Sequence, residues 1–213
     1  MYISRHHQLT DREAIFSIMD SHPLSAWVCQ VDGALVANHV PFFLDRTRGP
    51  LGTLVGHVAR ANTVWRGLGK ATPSVVMFRG PHAYITPGWY PSKQEHGKVV
   101  PTWDYAVAHA HGTARAMEDR AWLLDMLRRL TAHQEGGQEA PWHVADAPAD
   151  YIDKLLRAIV GIEISIDRLE GKLKASQDEA LQDRHGTVAG PEAAGDPERS
   201  AMAHLVRKTL APG

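Results

Sequence analysis

Apolar residues follow different periods along this chain. Up to residue 117 they mostly alternate or cluster in short runs broken by turn residues; from 119 to 158 they recur at helical spacing; beyond 173 they thin out. Ile15, Ile18 and Met19 repeat at helical spacing behind Thr10-Asp11-Arg12-Glu13. There the threonine hydroxyl and glutamate carboxylate can satisfy the first free backbone donors, which predicts a short helix to about Ser21. Residues 24–31 and 34–43 read as strands joined at Asp32-Gly33, a strong hairpin signal. Residues 51–58 form a third apolar strand, and 62–68 a short helix ended by Gly69. A fourth strand covers 74–78; Gly80-Pro81 breaks it, and 82–86 is a fifth. The stretch 87–101 holds Pro87, Pro91 and Pro101 and reads as a long loop, a length uncommon in compact domains unless it carries function. Residues 105–117 are expected as a long strand. Trp122, Leu123, Met126, Leu127 and Leu130 give a helix over 119–133 one apolar face, and a second helix covers 149–158. Ile162, Ile164 and Ile166 share one side of a strand over 160–169.

Several short strands, then two helices, then a strand: no strand–helix–strand alternation repeats, which argues against a doubly wound parallel sheet. A mainly β fold, a small antiparallel barrel with helices packed on its outside, fits better. The 213 residues suit one medium domain or one domain plus an extension, and 44% apolar residues suffice for a core. Gln, Asp, Glu, Gly and Ala dominate after 173, and 198–210 regains helical character through Met202, Leu205 and Val206. The expected organisation is a domain over 1–172 and an extension over 173–213 with a terminal helix.

The formal net charge of -1 supplies no global basic field, so DNA contact would need a local patch or a partner. The two clear helices are separated by a long linker rather than a tight turn, so no helix-turn-helix is read. The single cysteine, Cys29, excludes an internal disulfide and fits a reducing compartment; inside an apolar strand it is expected to be inert. Neither a signal-peptide pattern nor a bilayer-length apolar run is present, so a soluble cytoplasmic protein without membrane contact is expected. Thirteen histidines show no metal-site spacing, and there is no cysteine pair; no metal is expected.

Three groups of residues could carry chemistry. In Gly56-His57-Val58-Ala59-Arg60-Ala61-Asn62 an apolar strand meets a small-residue turn, an arginine and a helix start. That arrangement suits an anion, and equally a plain helix N-terminus with a solvated arginine. Trp89, Tyr90, Trp103 and Tyr105 could stack on a planar ring while Lys93 or Lys98 meets negative charge; the same rings could instead plug a barrel end or fill a subunit interface. Asn38-His39-Val40 on one strand, with His109 and His111 sharing a face of another, could hydrogen-bond a ligand or bind a metal or haem; the same histidines could equally be satisfied structural residues. There is no Gly-x-Ser-x-Gly elbow and no Walker loop, and no catalytic residue is assigned.

Six ordered blocks carry a resemblance: residues 56–62, 80–85, 89–93, 100–105, 161–164 and 169–172. Together they resemble the PaiB family of bacterial FMN-binding negative transcriptional regulators, from Met1 to about Asp183. The resemblance implies a split β-barrel of the FMN-binding type with helices packed outside, a homodimer with the flavin at the subunit boundary, and a cytoplasmic role in repressing genes. It implies FMN as cofactor. Gly56, His57, Ala59, Arg60 and Asn62 would hold the phosphate, Asn38, His39 and Val40 would run under the ring, and Trp89, Lys93, Thr102, Trp103 and Tyr105 would complete the site. Three positions depart from the family pattern: Asp104 stands where the family typically has asparagine, Leu173 replaces a tryptophan, and Asp178 replaces another amide. The competing readings are a small FMN-dependent oxidoreductase using a nicotinamide donor and a haem-binding split-barrel protein.

Overall fold

A computed structural model describes residues 1–69 and 71–210; the last three residues of the expected extension, 211–213, lie outside the described residues. In chain order the elements are β1 (Gln8–Leu9), α1 (Arg12–Ser21), β2 (Leu24–Val31), β3 (Ala34–Pro41), β4 (Phe43–Asp45), β5 (Thr53–Ala59), β6 (Thr72–Ile85), α2 (Ser92–His96), β7 (Thr102–Met117), α3 (Arg120–Glu135), α4 (Ala149–Leu156), β8 (Ile159–Lys174), α5 (Leu181–Ala193) and α6 (Pro197–Leu210). Two compact units form: one from residues 22–78 and 109–169, the other from 1–21, 79–108 and 170–213.

In the first unit the strand order is β3-β2-β6-β7-β8-β5-β4. The hairpin turns at Asp32 and Gly33, both at positive φ, as the dipeptide predicts. β2 pairs antiparallel with β3 and β6, and β5 pairs antiparallel with β4 and β8. Trp27, Phe42, Leu54, Val76, Phe78, Ile162 and Ile164 are buried. Even the Trp27 indole N–H is satisfied, donating to Ser74 Oγ at 3.1 Å. α3 lays Leu123 and Met126 against Val55 and Leu156, so the apolar helix face read from the sequence covers the sheet. Asp119 caps α3 by accepting from the Trp122 N–H. Gly161 leaves room for the Trp122 ring, which a Cβ there would meet at 2.2 Å.

Two buried carboxylates are tied to arginines in this unit. Glu163 accepts from Arg115 and pairs with Arg48 at 2.7 Å; burial alone would raise its pKa, but the two guanidiniums outweigh it and hold it low. Asp45 accepts from Thr47 and pairs with Arg129 at 2.8 Å; the Arg129 hydrogen bond chiefly lowers its pKa, from 3.8 to about 2, against the pull of burial. A depressed carboxylate pKa stabilises the fold above the unfolded value and loses that contribution as pH falls through the folded value. Asp45 therefore contributes about 2 kcal/mol that is fully present above pH 3.8 and fades toward pH 2. Arg129→Ala is expected to flatten the acid limb of urea stability by about that amount; an unchanged limb would refute the assignment.

In the second unit, β1 pairs with the end of β8 through Gln8–Lys172 and Leu9–Gly171. Its core is Ala83, Ile85, Tyr90, Ala175, Val188, Met202 and Val206, with Trp89 and Leu205 packed against it. α5 and α6 lie against each other, joined by Arg207–Glu192 and by Arg184 donating to Thr209. Asp183, buried on α5, accepts from the Ser92 N–H at 3.1 Å and Oγ at 2.6 Å.

Two expectations are corrected, and one helix appears that the sequence pattern did not offer. β6 does not break at Gly80-Pro81 but runs through it; Gly80 admits the Ala106 carbonyl, which a Cβ would meet at 3.1 Å. The 87–101 stretch is not one loop: it holds a 3-10 turn at Pro87–Trp89 and the helix α2, closed by Gly97 in the left-handed region. α5 is a helix that Gly186, Gly190 and Pro191 hide from a propensity reading. At the N-terminus Asp11, two residues before Glu13, accepts the Glu13 N–H. Among the described residues no helix is long and apolar enough to cross a membrane.

Candidate functional site

The first cluster of expected site residues lies on β3, β5 and the turn after β5. Asn38 sits opposite Trp27 in the hairpin register. Its Oδ1 accepts from Asn62 Nδ2 at 2.7 Å, so two residues 24 positions apart meet directly. Its Nδ2 is buried without a partner. Asn62 Oδ1 is taken by the Val64 N–H, so Asn62 caps the 3-10 turn Thr63–Gly67. His57 faces Gly161 across the β5–β8 ladder, and its Nδ1 is also buried without a partner. Burial lowers the His57 pKa, so its imidazole is neutral at pH 7 and offers one donor and one acceptor.

Neighbouring positions serve the scaffold. Val40 is 2% exposed and its carbonyl accepts from Ser25 Oγ. Gly56 is where β5 passes close to Pro41 and Phe42; a Cβ would lie 2.9 Å from the Pro41 carbonyl oxygen. Ala59 closes the β5–β8 ladder opposite Ile159, and its carbonyl accepts the Asn62 N–H. His39 is exposed, opposite Ala26.

Arg60 departs from the expected open anion clamp. Its Nε donates to the Arg157 carbonyl at 2.9 Å, Nη2 to the Ile159 carbonyl at 3.1 Å and Nη1 to Glu118 at 2.7 Å. The guanidinium also lies 5.4 Å from the Trp65 ring centroid. The Arg60 backbone N–H is bonded to the Ala158 carbonyl. The donors expected to face a phosphate are engaged within the chain, and only the contact to the exposed Glu118 carboxylate is of the exchangeable, solvent-screened kind. A cavity of about 130 Å³ adjoins this group, lined by Arg60, Glu118, Arg120, Asp153 and Arg157 among others.

The aromatic set, in the other unit, divides in two. Trp89 packs into the core on α5, with Gly190 against its ring and Gly186 against its carbonyl; Tyr90 is 3% exposed in the same core. Trp103 and Tyr105 share one face of β7 while Asp104 between them points inward, as the strand period requires. Trp103 is half exposed and stacks on His82 at 5.9 Å with Tyr84 edge-on at 5.8 Å. Lys172 Nζ lies 5.1 Å above the Tyr105 ring. Lys93 is exposed on α2. Thr102 Oγ1 accepts from Lys174 Nζ at 2.7 Å, and the Trp103 carbonyl accepts from the same ammonium.

The two acidic residues that depart from the family pattern now have places. Asp104 is fully buried and accepts from Ser176 Oγ at 2.6 Å, the Ser176 N–H, and Lys174. Burial raises its pKa, opposed by Ser176 and Lys174. Its charge is met inside the chain, so it does not oppose an anionic ligand from the surface. Asp178 is exposed beside His7. The sequence reading missed Lys174, Ser176, His82 and Tyr84. The strand expected over 82–86 already puts His82 and Tyr84 on one face, but no sequence signal ties that face to Trp103.

Asn38 Nδ2 and His57 Nδ1 are each a buried polar atom without a partner in the chain, the kind of group that a polar ligand can satisfy. The sequence pattern of the family described as "Putative FMN-binding domain" matches residues 1–168. The chain belongs to this FMN-binding family. FMN is the cofactor that membership assigns, and the resemblance to PaiB proteins stands: the chain is 26% identical to the protease synthase and sporulation protein PAI 2 of Bacillus subtilis, over 99% of this chain and 98% of that one. It is 32% identical to an uncharacterized protein of Emericella nidulans, over 98% and 97% of the two chains. Among solved structures it is similar to the FAD and heme binding protein from Mycobacterium smegmatis, with TM-score 0.60 and 23% identity over 89% of this chain and 80% of that one. It is also similar to the flavocytochrome Anf3 from Azotobacter vinelandii, with TM-score 0.57 and 16% identity over 81% and 72%. These likenesses establish the fold, the mainly β split-barrel architecture with helices packed outside.

Proposed function

We propose that this chain is an FMN-binding, homodimeric regulator of the PaiB type, acting in the cytoplasm to repress genes, with the barrel over 1–172 and an extension over 173–213. The observation that carries the flavin part is two buried, unpartnered polar atoms, Asn38 Nδ2 and His57 Nδ1, within residues 1–168, the span that the FMN-binding family matches. A buried polar group without a partner is costly, and a ligand that pairs with it recovers that cost on binding. Asn38 and His57 would meet the polar edge of the ring, with Asn62 holding the Asn38 amide in place. Arg60 would meet the phosphate by exchanging Glu118 for it while keeping its two carbonyl contacts. Gly56, Val40 and Ala59 shape the backbone beneath, and His39 lies beside Asn38 on β3; the other proposed residues, Trp89, Lys93, Thr102, Trp103 and Tyr105, belong to the second unit, where Trp103 is half exposed and Trp89 acts through packing. When bound, FMN supplies one- and two-electron redox chemistry. The chain's own part is to bind and orient it.

The relative's name, protease synthase and sporulation protein, supports a regulatory role, and the net charge of -1 makes a DNA contact local or partner-assisted. A mobility shift on the promoter of its own gene at physiological salt, run with and without FMN, tests the regulator reading, with light scattering for assembly. A dimer and a retarded band that responds to FMN are expected. A monomer, or no retardation in either state, would contradict it.

A further inference from the structure

Next to the N-terminus, three residues that the flavin reading does not use converge. His7, on the 3-10 turn Arg5–His7, is 6% exposed, and its Nε2 is buried without a hydrogen-bond partner. Its other ring nitrogen, Nδ1, is paired with Ser4 Oγ at 2.8 Å, which fixes the ring and leaves Nε2 as the open position. The Asp178 carboxylate stands 3.5 Å from that Nε2. This is longer than an N–H···O hydrogen bond normally runs. It is close to the edge of a tetrahedron whose metal–ligand bonds are about 2.0–2.1 Å. His6 supplies a third donor: its ring stands edge-on to His7 with centroids 4.8 Å apart, and the three ligand atoms all lie within 4.8 Å of one another.

We propose that His6, His7 and Asp178 bind a divalent transition-metal ion of the zinc class, with Ser4 orienting His7 from behind. Two imidazoles and a carboxylate form a borderline donor set suited to Zn²⁺ rather than to Ca²⁺ or Mg²⁺, which prefer all-oxygen shells. His6 and Asp178 are exposed, so the ion has an approach and water can complete its shell. The site is invisible to spacing rules because its carboxylate comes from the far end of the chain, after β8. It would tie the N-terminal turn to the segment that follows β8, giving that segment a metal-dependent clasp.

The test is calorimetric titration of the tag-free full chain, stripped with chelator, with ZnSO₄, followed by CoCl₂ substitution read by ligand-field absorption. One equivalent per chain is expected, with tetrahedral cobalt bands. Asp178→Asn and His6→Ala, both at exposed positions, are each expected to weaken binding at least about tenfold, and Ser4→Ala about 10–100-fold, as for other supporting groups around zinc. Zinc is expected to raise the melting temperature of the wild type and not of Asp178→Asn. Unchanged affinity in both His6→Ala and Asp178→Asn, or binding abolished instead by replacing His109, would overturn the assignment.

Discussion

Arg60→Ala is expected to raise the FMN dissociation constant roughly 10–150-fold, the equivalent of losing charge-assisted hydrogen bonds worth ~1.5–3 kcal/mol. The partner substitution distinguishes this from simple unfolding. Glu118 holds Arg60 Nη1 at 2.7 Å, and both side chains are substantially exposed. An exposed ion pair contributes only about 0.2–1 kcal/mol, and a phosphate dianion has to displace it. Glu118→Gln removes the competitor, so FMN is expected to bind about 1.5–5-fold more tightly, with little change in melting temperature. Opposite signs from two substitutions on one ion pair are hard to obtain from a stability effect alone. If Glu118→Gln weakens FMN binding, or leaves it unchanged while Arg60→Ala also has no effect, Arg60 is only the internal clasp that its bonds to the Arg157 and Ile159 carbonyls describe.

The second large effect is expected at the α5 glycines. A Cβ at Gly186 would lie 1.8 Å from the Trp89 carbonyl oxygen, and one at Gly190 2.3 Å from the Trp89 ring. Overpacking of this kind costs about 1–3 kcal/mol, which for a domain of this size lowers the melting temperature by roughly 2–10 °C. The two glycines differ in what they meet. Gly190→Ala collides with a side chain, so in a Trp89→Ala background its penalty should vanish and become a gain of about 1 kcal/mol from helix propensity. Gly186→Ala collides with backbone, so its penalty should persist in that background. Equal rescue of both would mean that α5 shifts as a body, and that Trp89 does not set its position.

Much of the fold was legible from residue period alone. The Asp32-Gly33 hairpin, the apolar face of α3 and the buried Ile162, Ile164 and Ile166 of β8 all appear where the pattern places them, although β8 also buries Gly161 and Glu163 between them. What escaped was local chemistry overruled by tertiary contact. Gly80-Pro81 reads as a break, yet the glycine is there to let the Ala106 carbonyl approach. Gly186, Gly190 and Pro191 read as helix breakers, yet the glycines are the seat of Trp89. Among the expected site residues, Asn38 and His57 each keep a buried polar atom without a partner and Asn62 bonds Asn38, which spacing alone does not show. Trp89 and Tyr90 could not be told from ring-stacking residues, since an aromatic beside prolines looks alike whether its partner is a flavin or the chain's own helix. Nor could sequence show that Arg60 finds two carbonyls and a carboxylate nearly 60 residues or more away.

Quenching of FMN fluorescence by the chain tests the central claim most directly, with Asn38→Leu measured beside the wild type. Saturation at one FMN per chain is predicted, with Asn38→Leu weaker by roughly 5–150-fold at preserved secondary structure, the value of an unmade hydrogen bond at a buried amide. No saturation by the wild type up to about 1 mM FMN, the weak end of specific binding, or equal affinity in the two proteins, would contradict it.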